Sequence, residues 1–346
     1  MTVLPLCEIN LNKLDLPYSY WILMMILVTG GAGYIGSHTL LSLTRSGHEP
    51  VTADNLCYGH REAVLDGHFV HADLGDQQTL GRLFESFPIE AVIHFAAFCY
   101  VGESVTAPDK YFNNNLVNGL NLLNAMRKGG VDKIIFSSSC AVYGDPQEIP
   151  IPETHPKNPI NPYGLSKHFF EQILAAYDAA YGLKYVSLRY FNAAGADPKG
   201  GLGESHHPET HLIPLVLQTA LGHRDEVRIF GSGYPTPDGT CVRDYVHVCD
   251  LAEAHVLALN YLLTGAESIC LNLGTGRGYS VREVVELCQQ ICQQPIPHRD
   301  VAPRPGDPPE LVASGDMARQ ILKWNPHYSL EEIISTAWNW HQDPKF

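Results

Sequence analysis

Tyr163-Gly164-Leu165-Ser166-Lys167 carries the two residues best suited to proton chemistry in the chain. A tyrosine and a lysine four positions apart share one face of a helix, and this run opens a long helical pattern over Tyr163–Tyr181. A free phenol has a pKa of about 10, so a tyrosine working as a base near neutrality must lose roughly 3 units, worth about 4 kcal/mol. A nearby ammonium favours the phenolate, and a second cation beside the ring would do more. Tyr-x-x-x-Lys also occurs on plain surface helices, so context has to decide. Upstream, Phe136-Ser137-Ser138-Ser139-Cys140-Ala141-Val142-Tyr143-Gly144 places serines at the end of an apolar run. In open α/β sheets the carboxyl ends of parallel strands face the ligand crevice. Ser139 there can donate to a substrate hydroxyl or share a proton with Tyr163. Ser137 and Ser138 suit a turn that bonds its own backbone better than Ser139 does.

A glycine turn supplies the context. Thr29-Gly30-Gly31-Ala32-Gly33-Tyr34-Ile35-Gly36 spaces Gly30, Gly33 and Gly36 as G-x-x-G-x-x-G between an apolar run and a helical pattern. Glycines permit a tight turn and close backbone approach to a pyrophosphate, and the helix N-terminus adds free N–H groups and partial positive charge. Asp54 follows 18 residues past Gly36, at the end of the next apolar run. A carboxylate there accepts hydrogen bonds from an adenosine ribose and repels a 2′-phosphate, which favours NAD over NADP. Asp73, in His71-Ala72-Asp73-Leu74, suits the adenine amine or a simple turn. The oxidised nicotinamide of such a cofactor is the second cation that Tyr163 needs.

Elements that position these groups alternate along the chain. Ile26–Thr29, Val51–Asp54, Ala91–Ala96, Ile134–Ser137 and Tyr185–Leu188 read as buried parallel strands. Tyr34–Ser46, Gln78–Phe87, Lys110–Lys128 and Tyr163–Tyr181 read as the helices between them. Such alternation implies an α/β fold, a Rossmann-type doubly wound parallel sheet. Past about residue 192 glycine and proline become frequent, with helices still expected at Ser280–Gln294 and Leu330–Trp340. We therefore expect a dinucleotide domain over 25–192 and, over 193–346, mainly a smaller mixed α/β substrate-binding domain. Residues 1–24 are expected to be a disordered or mis-called extension, with Met24 or Met25 as the natural start.

The formal charge of −14 over 346 residues disfavours nucleic acid and membrane surfaces as partners, and obliges an anionic substrate to find local cations. No run reaches the ~18 apolar residues of a membrane span. The nine cysteines are scattered, with no C-x-x-C pair; Cys288 and Cys292 lie one helical turn apart without a second ligand pair. Reduced thiols in a cytoplasmic protein, and no metal, are the expectation.

These motifs together resemble the extended short-chain dehydrogenase/reductase family, and within it the UDP-glucose 4-epimerase branch, from about Met25 to Trp340. The more specific runs are His94-Phe95-Ala96-Ala97, Val101-Gly102-Glu103-Ser104-Val105, Tyr111-Phe112-Asn113-Asn114-Asn115, Leu188-Arg189-Tyr190-Phe191-Asn192, Pro208-Glu209-Thr210-His211-Leu212-Ile213-Pro214 and Asp238-Gly239-Thr240-Cys241-Val242-Arg243-Asp244-Tyr245, with Ala302-Pro303-Arg304-Pro305-Gly306-Asp307 last. The resemblance implies reversible epimerisation of UDP-glucose and UDP-galactose at C4 with NAD. Tyr163 would be the base, Lys167 its activator and ribose anchor, and Ser139 the hydrogen-bonding partner. Phe95, Ala96 and Asn114 would line the cofactor, with Tyr34, Ile35, Asn55, Leu74 and Tyr190 completing its site. Asn192, Arg243 and Arg304 would take the substrate diphosphate, Leu212 and Phe230 the uracil with His211 beside them, and Asp307 the uridine ribose. Arginines agree with the charge argument, because an acidic protein needs forked cations at a diphosphate.

This sequence departs from the family at two places: Cys99 stands where many members carry a lysine reaching the cofactor, and Leu311 where some relatives hold a tyrosine gating the sugar pocket. A 4,6-dehydratase would need an Asp-Glu pair where Cys140-Ala141 stand. Epimerases of UDP-N-acetylhexosamines, UDP-pentoses or UDP-uronates fit the same motifs. A non-catalytic dinucleotide sensor would have no use for Ser139, Tyr163 and Lys167 together. Apolar residues on more than one helix face (Leu116, Leu120, Leu123, Phe169, Ile173 and Leu174) suggest a homodimer.

Overall fold

The computed structural model describes residues 25–304 and 306–346. The expectations for residues 1–24 lie outside the described residues. In chain order the strands are β1 Met25–Thr29, β2 Glu49–Asp54, β3 His68–His71, β4 Ile89–His94, β5 Lys133–Ser139, β6 Lys184–Tyr190, β7 Asn192–Ala194, β8 Val227–Phe230, β9 Val242–His247, β10 Ile269–Leu273, β11 Gly278–Ser280, β12 His298–Val301 and β13 Glu310–Leu311. The main sheet runs β10-β6-β5-β4-β1-β2-β3, parallel throughout. Each strand expected from an apolar run is present. Most are longer, because charged end residues such as Glu49, Lys133 and Lys184 continue the backbone pairing after the apolar signal stops.

β1 shows why both faces of the sheet need helices. Ile26 and Val28 pack on one side with Leu40 and Leu43 of helix Tyr34–Arg45 and Leu251 and Leu259 of helix Val248–Leu263. Leu27, of opposite parity, packs on the other side with Leu80, Leu122, Phe170 and Leu174. Those residues come from helices Gln77–Ser86, Asn118–Lys128 and Pro162–Tyr181. The alternation follows from the two-residue period of a strand.

Two features depart from the sequence reading. The helix expected over Lys110–Lys128 is broken into Pro108–Phe112, a wide π turn at Asn113–Val117, and Asn118–Lys128. Such a turn holds one extra residue and re-aims side chains, commonly at functional sites. Second, the chain after residue 192 does not stay apart: helix Val248–Leu263 and β10 return to the first sheet.

The remaining strands make a smaller body in which β9 pairs β7, β11 and β13, and β8 pairs β12. Its core joins Ile213, Leu217, Val284, Cys288, Ile333 and Ile334 from helices Leu212–Ala220, Val281–Cys292 and Leu330–Gln342. Cys288 and Cys292 are core residues there, and the eight described cysteines are all free thiols. Among the described residues no helix is long and apolar enough to cross a membrane.

Candidate active site

The strand order reverses between β1 and β4, and open α/β sheets bind ligands at that reversal. Phe95 and Ala96 both donate backbone N–H groups to the Thr29 carbonyl, at 2.9 and 3.1 Å, closing the base of the crevice. Gly30 sits there with φ +73°, and a Cβ on it would lie 2.6 Å from the Ala96 nitrogen. Only glycine fits that position. Asp54 reaches back from β2 and accepts from the Ala32 amide at 3.0 Å and the Leu56 amide at 2.8 Å. Burial raises its pKa, and those two bonds oppose the rise. Each carboxylate oxygen keeps a second lone pair, which suits a ribose diol, while its charge opposes a 2′-phosphate. Asn55 donates to Asp73 at 2.9 Å, so the two residues form one polar rim. This cradle fits a dinucleotide: a glycine turn, a helix N-terminus, and carboxylates at the ends of the next strands.

The proton-handling groups converge from two elements. Helix Pro162–Tyr181 begins with Pro162 in its first turn and is capped by Asn161, whose side chain accepts from the Gly164 amide at 2.8 Å. Tyr163 therefore lies in the first turn, where the helix dipole favours a phenolate. A side chain on Gly164 would collide with the Ala141 carbonyl, so glycine lets this helix end abut the loop after β5. Lys167, one turn on, is buried and donates to the Ser137 carbonyl at 2.7 Å, with its Nζ 5.8 Å from the centre of the Tyr163 ring.

Burial holds the Lys167 pKa down to about 8 and pushes the Tyr163 phenol well above its usual range. That is opposite to the lowering expected from the sequence: the low-polarity site dominates, and the Ser139 hydroxyl is a smaller influence in the helpful direction. The serine reading is also corrected. Ser137 bonds the Tyr190 hydroxyl and Ser138 bonds Glu171, whereas Ser139 is the one that caps its own backbone, accepting from Ala141 at 3.2 Å.

Asn114 and Asn115 lie on the π turn. Asn115 is buried and clamps the Phe98 backbone at 2.9 and 3.0 Å while donating to Ser166 at 3.0 Å, and Asn114 bonds to it at 3.1 Å. The wide turn thus leaves Asn114 in the cleft and fixes Asn115 behind it.

Cations gather at the far end of the cleft. The Arg243 guanidinium lies 3.5 Å from the Asp307 carboxylate, and Arg304 stacks over the Phe230 ring at 3.8 Å. Asn192 donates to the Asp244 carbonyl at 3.2 Å, which holds β7 against β9 at the cleft floor. Leu311 pairs in register with Arg243.

All the site residues expected from the sequence line this one cleft, among them Gly30 and Asp54, Ser139, Tyr163 and Lys167, and Arg304 and Asp307. Cys99 and Leu311 line it too. Its volume of about 1250 Å³ exceeds the roughly 300–1,000 Å³ of pockets for one drug-sized ligand. Two ligands end to end match it better.

Sequence reasoning passed over three features. Gly164 was legible only as part of the Tyr-x-x-x-Lys run. Glu171 and Arg189 form a buried bidentate pair at 2.7 and 2.8 Å, which ties the Tyr163 helix to β6, and nothing local in the sequence signals it. The third, a histidine–glutamate cluster at Glu204, His206, Glu209 and His211, has a visible E-x-H-x-x-E-x-H spacing.

Comparison with known proteins agrees with this geometry. The model of the NAD dependent epimerase/dehydratase family matches residues 26–274. A UDP-glucose 4-epimerase of Halalkalibacterium halodurans is 52% identical over 321 residues, covering 92% of this chain and 96% of that one. The crystal structure of UDP-glucose 4-epimerase from Brucella ovis in complex with NAD superposes with a TM-score of 0.89 at 50% identity, covering 91% of this chain and 97% of that one. The enzyme of that name from Bifidobacterium longum, in complex with NAD+ and UDP, gives a TM-score of 0.89 at 39% identity, covering 93% and 99%. Sheet, cleft and relatives converge, and the chain belongs to the NAD dependent epimerase/dehydratase family.

Proposed function

We propose that the protein interconverts UDP-glucose and UDP-galactose at C4 of the sugar, with NAD as its resident cofactor. The observation that carries this reading is that Ser139, Tyr163 and Lys167 line one cleft together with a dinucleotide cradle and two arginines. Gly30, Gly33, Tyr34, Ile35 and Gly36 would hold the pyrophosphate, and Asp54 the adenosine ribose. Asn55, Asp73 and Leu74 suit the adenine end, and Phe95, Ala96, Asn114, Lys167 and Tyr190 the nicotinamide end. NAD held there would supply a reversible hydride acceptor for C4 of the sugar.

The chain's own residues do the rest. Arg243, Arg304 and Asn192 hold the diphosphate, Phe230 and Leu212 the uracil with His211 beside them, and Asp307 the ribose. The nucleotide is thereby anchored while the sugar is left free to turn. Ser139 orients the 4-hydroxyl. Tyr163 takes that proton as C4 is oxidised and gives it back after the 4-keto sugar has turned over. Lys167 stabilises the phenolate with its ammonium and bonds the nicotinamide ribose.

A homodimer would use the outer face of the two helices beside the cleft, where Val117 is 51% and Phe169 40% exposed. Free thiols suit a reducing compartment, and the cytoplasm is the proposed location.

The test is conversion of UDP-galactose by purified protein and by Tyr163→Phe. The reading predicts UDP-glucose without net NADH release, and a fall in kcat of at least about 100-fold in the variant, as for loss of a general base. Turnover by Tyr163→Phe within a few-fold of the parent would remove Tyr163 as the base. No turnover of UDP-galactose by the parent protein would remove the substrate assignment.

A further inference from the structure

We propose that Glu204, His206, Glu209 and His211 bind one divalent cation of the zinc type. One oxygen or nitrogen from each lies within 4.8 Å of all the others. The two imidazoles present Nδ1 inward. From His206 Nδ1 the distances are 3.2 Å to Glu204 and 3.6 Å to Glu209, and from His211 Nδ1 they are 2.5 Å to Glu204 and 3.5 Å to Glu209.

Tetrahedral zinc with bonds near 2.0–2.1 Å requires ligand-to-ligand distances of about 3.3 Å. Of the four imidazole-to-carboxylate separations three already match, with Glu209 meeting the two rings through different oxygens. The fourth, a direct His211–Glu204 hydrogen bond, has to open by less than about 1 Å to admit the ion.

His206 supplies an independent sign. Its Nδ1 is buried and makes a well-directed hydrogen bond to neither carboxylate, although both are close. Buried polar atoms are otherwise almost always partnered. The carboxylates themselves are 4% and 6% exposed. Two imidazoles and two carboxylates form a donor set suited to zinc, and four protein ligands make a closed, structural site.

The surroundings hold the donors in place. The Trp340 indole donates to the Glu204 carbonyl at 3.0 Å. The Glu209 oxygen nearer His211 accepts from the Thr210 and His211 amides at 2.7 and 2.9 Å, and the other faces His206. The His206 ring meets Tyr34 and Tyr100 edge-on, at 6.2 and 6.4 Å between centres. Such outer contacts pre-orient ligands and tune affinity. The ion would tie the loop that leads into helix Leu212–Ala220 to Tyr34 of the glycine turn. It would brace the two halves of the cleft without touching the reacting carbon.

The experiment uses tag-free protein stripped with EDTA, given one equivalent of ZnCl2 and passed through a desalting column. Elemental analysis is expected to find one zinc per chain, with a higher melting temperature than the stripped protein. His206→Ala and Glu204→Gln are expected to weaken retention at least tenfold, while Cys57→Ser leaves it unchanged. Cobalt(II) in the unaltered protein gives a reading that needs no variant. Visible bands without thiolate-to-cobalt charge transfer support the site. Charge-transfer bands would place the ion on cysteines and overturn it. So would no retained metal, or equal retention in His206→Ala.

Discussion

In the proposed reaction Tyr163 acts as a base in surroundings that oppose its ionisation. The site desolvates the phenol and raises its pKa, so the phenolate depends on the positive charges brought to it: the helix N-terminus, Lys167, and the oxidised cofactor. Lys167 is itself a buried cation, with its pKa lowered to about 8 from 10.5. The sign follows directly. Below about pH 8 the folded protein carries the full penalty of burying the ammonium. Between about 8 and 10.5 the folded state has given up a proton that the unfolded state still holds, so the penalty fades as pH rises. Lys167→Met should therefore melt at or above the parent temperature at pH 7, with that advantage shrinking towards pH 10, while kcat falls at least about 100-fold. Thermal melts across pH alongside turnover check this, and a parallel loss of stability and activity would contradict it. At this scale the sequence was informative about identities and weak about environment. Tyr163, Lys167 and Asp54 were legible from residue type and spacing, and the arginines from the family resemblance. The direction of the Tyr163 shift and the bonding of Ser139 were not, because both depend on burial and on groups distant in sequence.

Elements set the distances between these groups. The Tyr163 helix is fixed at its start by the Asn161 cap and by the close approach of Gly164 to the Ala141 carbonyl. Further along, Glu171 pairs with Arg189 of β6, and Arg189 continues to Tyr143 at 3.0 Å, which donates to Asn272 of β10 at 2.6 Å. This buried chain of bonds keeps the helix at a set depth on the sheet. Gly164→Ala keeps every reacting group and adds one methyl against the Ala141 carbonyl oxygen. It should lower kcat by at least about tenfold through misplacing Tyr163 relative to Ser139, with KM little changed, since small misplacements are costly to catalysis. Steady-state kinetics with UDP-galactose would show this, and an unaltered kcat would mean that the helix end has slack. The local patterns of strand and helix were legible because each buried strand reads as an apolar run. The π turn at Asn113–Val117 was not, since Asn113-Asn114-Asn115 continues a helical pattern and only packing reveals the extra residue.

Across the whole molecule, charge and topology divide the labour. A chain of net charge −14 can hold a doubly charged diphosphate only where cations are concentrated, and Arg243 and Arg304 both line the cleft. The boundary expected near residue 192 describes where the cleft's second wall begins. It misses β10, because the apolar run Ile269–Leu273 marks a strand but not the sheet that the strand joins. The outward face near Val117 and Phe169 is where a second copy would sit. Sedimentation velocity at low micromolar concentration should find a dimer for the parent and a monomer for Phe169→Glu, since a charge at an apolar interface is strongly unfavourable. A parent that sediments as a monomer would refute the dimer.

The central claim is that the C4 hydrogen leaves and returns without meeting solvent, while Tyr163 handles only the hydroxyl proton. The most direct measurement uses UDP-galactose deuterated at C4, converted in ordinary water, with the product read by mass and NMR. The account predicts UDP-glucose that keeps the deuterium at C4, because a hydride stored within the site does not exchange. Loss of the label to water would mean that the carbon is deprotonated instead, and would contradict the mechanism.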